Sequence, residues 1–216
     1  MADNIARVLT DAIATDPTRP LLTWYDDATG ERTELSGATL ANWVAKTANL
    51  LVDEVVVGPG DAAGVLLPPH WQTAAVLLGC WSAGLTVTRE PGRVNVLFAA
   101  ADRAAEADAW PADERYVLAL HPFALPLREV PPGFADYVVE VRAHGDHFTA
   151  YPPGGPVDAE LVARAAARAT ELGLTADDRV LVDTAAHPDP VDWLLAPLIA
   201  RATLVLCANL DPTLLP

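Results

Sequence analysis

Positive charge is scarce in this chain of 216 residues. Lys46 is its only lysine, and 14 lysines and arginines stand against 29 aspartates and glutamates, which gives a net charge of −15. Nucleic acids and anionic membranes recruit proteins through positive patches that bind phosphate. The composition therefore disfavours both, and we expect no nucleic-acid partner. We interpret Lys46 as a solvated residue on the polar face of an amphipathic helix.

Cysteines and long apolar runs are also few. Cys80 and Cys207 are the only cysteines, which excludes a disulfide framework and favours a reducing compartment. Residues 1–16 contain three aspartates and no continuous apolar run, so we expect no signal peptide. The uncharged residues 62–88 are interrupted by Pro68 and Pro69 and are too short on either side to span a bilayer. We expect a cytoplasmic protein with no membrane partner.

Several common catalytic signatures are missing from the sequence. It contains no Gly-x-Ser-x-Gly nucleophile elbow, no GxxxxGK[ST] phosphate loop and no GxGxxG turn, which removes the commonest hydrolase and nucleotide-binding patterns. Cys80 stands among apolar residues of a predicted helix. We therefore interpret it as a small core residue and not as a nucleophile.

Apolar periodicity predicts strands that alternate with helices. Helices are predicted over residues 5–13, 36–53, 71–83, 100–108, 158–172 and 191–200. Strands are predicted over residues 21–25, 32–35, 65–67, 85–88, 94–98, 116–120, 138–141, 180–182 and 203–207. The first two strands form a hairpin around a polar turn. The predicted fold class is α/β: a single layered α/β/α domain over residues 1–216, with a mainly parallel sheet covered on both faces.

Two segments carry residue types suited to chemistry. The glycine turn at residues 151–156 precedes a helix, and such turns bind anions through backbone amides. We interpret it as an ordinary turn, because its prolines lack amide donors and no lysine is near. Asp183, His187 and Asp189 follow a predicted strand and could hold a divalent metal at its carboxyl end. With a single imidazole, an acidic surface loop is the favoured interpretation.

The order of several short motifs resembles the start of adenylate-forming enzymes. These motifs are Leu-Ser-Gly-Ala-Thr-Leu at residues 35–40, Gly-Pro-Gly-Asp at 58–61, Leu-Gly-Cys-Trp-Ser-Ala-Gly at 78–84, Asp-Arg-Val-Leu at 178–181, His187, and residues 197–206. The resemblance covers nearly the whole chain. It is to the N-terminal part of acyl-CoA synthetases, luciferases and peptide-synthetase adenylation domains, and it is closest to a small family of high-G+C bacteria with distant similarity to AMP-binding enzymes.

The phosphate-binding motif of that superfamily, Tyr-Thr-Ser-Gly-Thr-Thr-Gly-x-Pro-Lys-Gly, aligns with residues 148–158. Val157 and Asp158 stand where the superfamily has lysine and glycine, so a carboxylate has entered where a cation meets polyphosphate. In the superfamily the position of His187 lies beside the acyl pocket. The resemblance thus implies five degenerate ligand-binding positions, namely Thr149, Tyr151, Gly154, Gly155 and His187.

These mismatches predict a non-adenylating, pseudoenzyme-like member of the superfamily that binds a small molecule or a protein partner. We expect no catalytic residue, no metal, and neither ATP nor AMP as cofactor. Three alternatives stay open. The chain could be an acyl-adenylate or acyl-CoA-forming enzyme, a half-enzyme completed by a partner chain, or a metal-dependent hydrolase that uses Asp183, His187 and Asp189.

A homodimer is also predicted, from the composition of residues 191–200. These residues are apolar on nearly every side, unlike the two-faced helix at residues 158–172. A helix that is apolar all round must be buried all round. Because its own sheet covers only one side, we expect a second copy to cover the rest about a two-fold axis. The alternative is that residues 122–132 fold over it.

Overall fold

Strands and helices alternate along most of the chain. The computed structural model describes residues 4–151 and 156–214. Its strands are β1 (Pro20–Asp26), β2 (Glu31–Ser36), β3 (Ala62–Leu66), β4 (Thr86–Thr88), β5 (Val94–Ala100), β6 (Ala112–Leu118), β7 (Ala135–Asp136), β8 (Arg179–Asp183) and β9 (Thr203–Ala208). Its α-helices are α1 (Val8–Ile13), α2 (Gly37–Asn49), α3 (Trp71–Ser82), α4 (Tyr137–Val141), α5 (Pro156–Glu171) and α6 (Ala196–Ala200).

The strands are divided between two sheets. Sheet one has the order β2-β1-β9-β8, in which only the predicted hairpin of β1 and β2 is antiparallel. Sheet two has the order β4-β3-β5-β6-β7 and is parallel throughout. The predicted α/β class with mainly parallel strands is confirmed. The prediction of one sheet is wrong, because periodicity identifies strands but not which of them pair.

One apolar cluster joins the two sheets to the helices. It includes Leu22 and Leu206 from sheet one, Phe98 from sheet two, and most of α3. All residues of α3 are buried, which agrees with its uncharged sequence. Ser36 caps α2 as predicted, since its hydroxyl accepts from the N–H of Thr39 at 3.1 Å.

Two predicted elements have another conformation in the structure. Residues 138–141, predicted as a strand, belong to helix α4. The Asp136 carboxylate accepts from the N–H of Val138 at 2.8 Å, and this N-cap outweighs the β propensity of the valines. The segment predicted as a helix at residues 100–108 is a 3₁₀ helix, Ala101–Ala109. In addition, the helix predicted to reach residue 53 ends as α-helix at Asn49 and continues as a π-helical turn, Leu50–Glu54.

The apolar segment at residues 191–200 is buried within its own chain. It forms a π-helical turn, Val191–Leu195, followed by α6. Trp193, Leu194 and Leu198 are each at most 1 % exposed, because α1 and α5 pack against the segment. Its composition therefore does not require a second copy. In the segment proposed as the alternative cover, residues 122–132, the carbonyl of Pro122 accepts from the indole N–H of Trp71 in α3 at 3.1 Å.

None of the helices in the part of the chain that the structure describes combines the length and apolar character needed to cross a bilayer.

Candidate functional site

The segment that aligns with the phosphate loop lies against the C-terminal end of α3. The N–H of Tyr151 donates to the carbonyl of Ser82 at 3.0 Å. The Tyr151 ring stands edge-on to Phe148, with 6.1 Å between ring centroids, and Thr149 is exposed between them. The predicted positions Gly154 and Gly155 lie outside the described residues.

Helix α2 holds the turn that leads into this segment. The Lys46 ammonium donates to the carbonyl of His144. The Asn49 amide donates to the carbonyls of Gly145 at 2.8 Å and His147 at 3.0 Å. Lys46 is half-buried, so its interpretation as a solvated residue is wrong. The only lysine of the chain thus binds the backbone carbonyl of a residue four positions before the aligned phosphate loop, and it anchors the turn that leads into that loop.

Helix α5 begins at Pro156 and has Asp158 in its first turn. A carboxylate at this end of a helix is favoured by the helix dipole. The same end of a helix attracts phosphate when no acidic side chain is present. In this chain the Asp158 carboxylate therefore supplies the negative charge at the start of α5, where a bound phosphate would otherwise be favoured.

A cavity of about 170 Å³ lies between α3, β4 and the start of α5. Its lining is largely apolar and consists of Leu77, Trp81, Leu85, Val87, Leu161 and Pro190, together with the polar residues Thr86, Arg89, Asp158 and Asp189. Arg89 donates to the carbonyl of Pro188 at 2.6 Å. This hydrogen bond ties the end of β4 to the turn that follows β8.

His187 is exposed in that turn and is not among the residues that line the cavity. Its backbone N–H donates to the carbonyl of Asp183 at 3.0 Å. Of the predicted ligand-binding positions, Tyr151 lies against the end of α3, and His187 is in a turn whose later residues, Asp189 and Pro190, reach the cavity. Tyr151 does not line this cavity, so the structure does not bring the side chains of these predicted positions together.

The carboxylates after β8 are engaged by arginines and backbone amides. One oxygen of Asp189 accepts from the N–H of Val191 at 2.9 Å, and the other lies 3.3 Å from Arg164. Asp192 lies 2.7 Å from Arg168. Hydrogen bonds to Glu171 and then to Asp192 raise the pKa of the Arg168 guanidinium above its usual value, so Arg168 is positively charged at neutral pH.

This arrangement does not fit the metal-hydrolase alternative. Asp183 uses one carboxylate oxygen to accept from the N–H of Ala185 at 3.0 Å, and Asp189 is paired with Arg164. Within residues 4–151 and 156–214, no group of three histidine, cysteine, aspartate or glutamate side chains is placed to hold a metal ion. The physical reason is that the loop folds toward the arginines of α5.

A larger cavity, of about 360 Å³, lies beside α2 and the neighbouring face of α3, and it was not predicted from the sequence. Its lining comes from the first helical residues, α2, α3 and residues 146–150, and most of it is small: Ala6, Leu9, Thr10, Ala38, Ala41, Asn42, Val44, Ala45, Leu78, Ser82, Asp146, His147, Phe148 and Ala150. The one signal in the sequence is the run of small residues along α2. That run leaves space beside the segment aligned with the phosphate loop.

The fold relates the chain to a known class of proteins. Compared with the crystal structure of an acyl-CoA synthetase from Brucella canis, the chain aligns over 94% of its length and 43% of that enzyme, with a TM-score of 0.73 and 18% identity. It also aligns over 97% of its length with 58% of the N-terminal domain of FACL13 from Mycobacterium tuberculosis, with a TM-score of 0.68 and 15% identity. The chain has the fold of the N-terminal domain of adenylate-forming acyl-CoA synthetases and spans less than half of the Brucella enzyme.

Sequence similarity assigns the chain to a narrower group. No family model matches it. A TIGR03089 family protein of Mycobacterium tuberculosis is 47% identical over 220 residues, which cover 96% of this chain and 90% of that protein. The chain belongs to the TIGR03089 family. The predicted resemblance, both to adenylate-forming enzymes and to a family of high-G+C bacteria, is confirmed.

Proposed function

We propose that the chain is a non-adenylating member of the adenylate-forming superfamily that binds a small molecule beside its degenerate phosphate loop. The observation that carries this proposal is the pairing of a cavity of about 360 Å³ with a loop that has lost its cation. Adenylation depends on positive groups that stabilise the charge developing on phosphate. Here the only lysine is bound to the His144 carbonyl, and an aspartate occupies the first turn of α5.

The size and chemistry of the larger cavity favour a small, uncharged molecule. Pockets for small molecules measure roughly 300–1,000 Å³ and combine an apolar lining with a few polar groups. The neutral polar groups here belong to Thr10, Asn42 and Ser82. Asp146 also lines the cavity, and the chain carries a net charge of −15. Both disfavour polyanions such as ATP and coenzyme A.

The first test is ATP–pyrophosphate exchange by the purified chain with a panel of carboxylic acids. We expect no exchange above the background without protein. Exchange that disappears when Gly154 is substituted would contradict the proposal and favour the alternative of an acyl-adenylating enzyme. Exchange that appears only after a second chain is added would favour a half-enzyme completed by a partner.

The second test is a thermal-shift screen with a library of uncharged small molecules, run beside ATP, AMP and coenzyme A. A ligand at about 100 times its Kd stabilises the folded state by about 2.7 kcal/mol, a shift of several degrees for a chain of this size. Asn42 is exposed and lines the cavity, so Asn42→Trp should fill the cavity and abolish the shift. The matched control is Ala167→Trp, at an exposed position of α5 that does not line it. Hits that Asn42→Trp leaves unchanged would overturn the assignment of this cavity.

A protein partner and a cytoplasmic location stay predictions. A pull-down of the tagged chain from its source cells, with the Asn42→Trp variant as comparison, would separate a partner that needs the cavity from one that binds elsewhere.

A further inference from the structure

Strand β8 forms the edge of sheet one and pairs on one side only among the described residues, with β9. The Asp178 carbonyl accepts from the N–H of Thr203 at 3.0 Å, and the N–H of Thr184 donates to the Cys207 carbonyl at 3.1 Å. Because the direction of backbone hydrogen bonds alternates along a strand, even-numbered residues face β9. The N–H and C=O groups that point away from β9 are therefore those of Arg179, Leu181 and Asp183.

This edge has few of the features by which proteins protect edge strands. Its sequence, Arg-Val-Leu-Val-Asp, contains neither proline nor lysine, and its register with β9 is regular, without a bulge. Leu181 is 44% exposed at the centre of the strand. The edge thus presents backbone groups that have no strand partner on this side among the described residues, together with an exposed apolar side chain, and both favour the addition of another strand.

We propose that β8 pairs antiparallel with β8 of a second copy, about a two-fold axis at Leu181. In this register Arg179 stands opposite Asp183 of the partner subunit, and Asp183 stands opposite Arg179 of the partner subunit. The three residues whose N–H and C=O groups point away from β9 are arranged symmetrically about Leu181. Each of them therefore pairs with such a residue of the second copy. The pairing joins sheet one of both copies into one continuous sheet of eight strands.

The charges favour a second copy over a different chain. A two-fold interface needs a surface that is complementary to itself, and a strand with an arginine at one end and an aspartate at the other meets that need. Arg179 is exposed. Asp183 uses one carboxylate oxygen to accept from Ala185, and its second oxygen can accept from an arginine. Side chains directly opposite each other in antiparallel strands interact across the pair.

Two features of the chain set the conditions of the test. The carbonyl of Asp183 already accepts from the N–H of His187, and its second lone pair serves the new strand. The net charge of −15 on each copy opposes association at long range. At about 0.15 M salt this repulsion is screened beyond about 8 Å, whereas the contacts between paired strands are closer than that.

The experiment is sedimentation velocity at about 0.15 M salt, over a concentration range that reaches about 100 µM. We expect a monomer–dimer equilibrium for the unmodified chain. Arg179→Asp and Asp183→Arg each replace two attractive pairs with two repulsive ones, so each should raise the dimer Kd about tenfold or more. The double variant Arg179→Asp, Asp183→Arg restores opposite charges and should return the Kd to near its original value.

A second pair of variants separates the apolar contact from general surface effects. Leu181→Lys should weaken the dimer, whereas Leu172→Lys, at a site directly after α5 that is 47% exposed, should leave the Kd unchanged. Circular dichroism of each variant confirms that it folds. The proposal is overturned if the unmodified chain is a monomer at the highest concentration. It is also overturned if a dimer persists unchanged in the single charge variants, or if the double variant does not recover the affinity.

Discussion

Replacing Gly79 with alanine tests how closely α2 and α3 approach. A Cβ atom built at Gly79 would lie 2.6 Å from both Cβ and Cγ2 of Thr47 and 3.3 Å from the carbonyl oxygen of Val44. Thr47 cannot move away easily, because its hydroxyl is bound to the Trp43 carbonyl at 2.8 Å and the Tyr137 hydroxyl at 2.7 Å. The substitution must therefore separate the two helices or disrupt that buried pair.

Two effects of opposite sign decide the magnitude. Alanine is a better helix former than glycine by about 1 kcal/mol, which would stabilise α3. Overpacking in a core costs about 1–3 kcal/mol. Because its two hydrogen bonds hold Thr47 in place, we expect the cost at this site to lie at the upper end of that range. We expect Gly79→Ala to lower the free energy of unfolding by about 1–2 kcal/mol, which for a chain of this length lowers the Tm by about 4 °C.

Urea unfolding followed by tryptophan fluorescence measures this difference. Gly145→Ala is the control, since the nearest atom to its added Cβ is the Asn49 amide nitrogen at 3.5 Å, an ordinary contact. It should change the free energy of unfolding by less than about 0.5 kcal/mol. If Gly79→Ala is as stable as the unmodified chain or more stable, helix propensity outweighs the contact, and the reasoning about the close crossing is refuted.

Two further predictions concern buried titratable groups. Burial lowers the pKa of His70 from 6.5 to about 3. Between these values the unfolded chain binds a proton that the folded chain does not, so stability should fall with decreasing pH by about 1.4 kcal/mol per unit. His70→Asn keeps an N-cap for the Gln72 N–H. The urea midpoints of this variant at pH 6.5 and pH 5 should differ less than those of the unmodified chain. An equal difference would contradict the prediction. Burial also raises the pKa of the Cys80 thiol, and burial with Asp27 raises that of Cys207 to about 11. Both thiols should therefore react with a maleimide at pH 7 only after unfolding. Rapid labelling of the folded chain would show that α3 or β9 opens, and it would contradict this prediction.

The sequence predicted only those features of the site that depend on the identity of a single residue. The absence of a lysine at residues 148–158 is visible in the sequence, and so is the entry of Asp158 into the first turn of α5. The role of Lys46 was not predictable, because its bond to the His144 carbonyl joins residues 98 positions apart. The larger cavity was missed for the same reason, since its lining comes from four separate segments.

The sequence by itself determined the elements whose signals are local. The β1–β2 hairpin, the Ser36 cap of α2 and the buried helix α3 follow from turn residues, a hydroxyl before a helix and an uncharged run. Net charge likewise needs no structure. These features depend on neighbours within a few positions, and periodicity and capping act at that range.

Only the tertiary structure decided how the elements cover one another. Residues 191–200 require burial on every side, but the sequence does not say whether a second copy or the chain itself provides it. In the structure, α1 and α5 of the same chain cover this segment. In the same way, periodicity identifies eight of the nine strands that the structure describes, without dividing them into two sheets or leaving β8 at an edge. The physical reason is that apolar burial has no direction, so many partners satisfy the same pattern until the whole chain is packed.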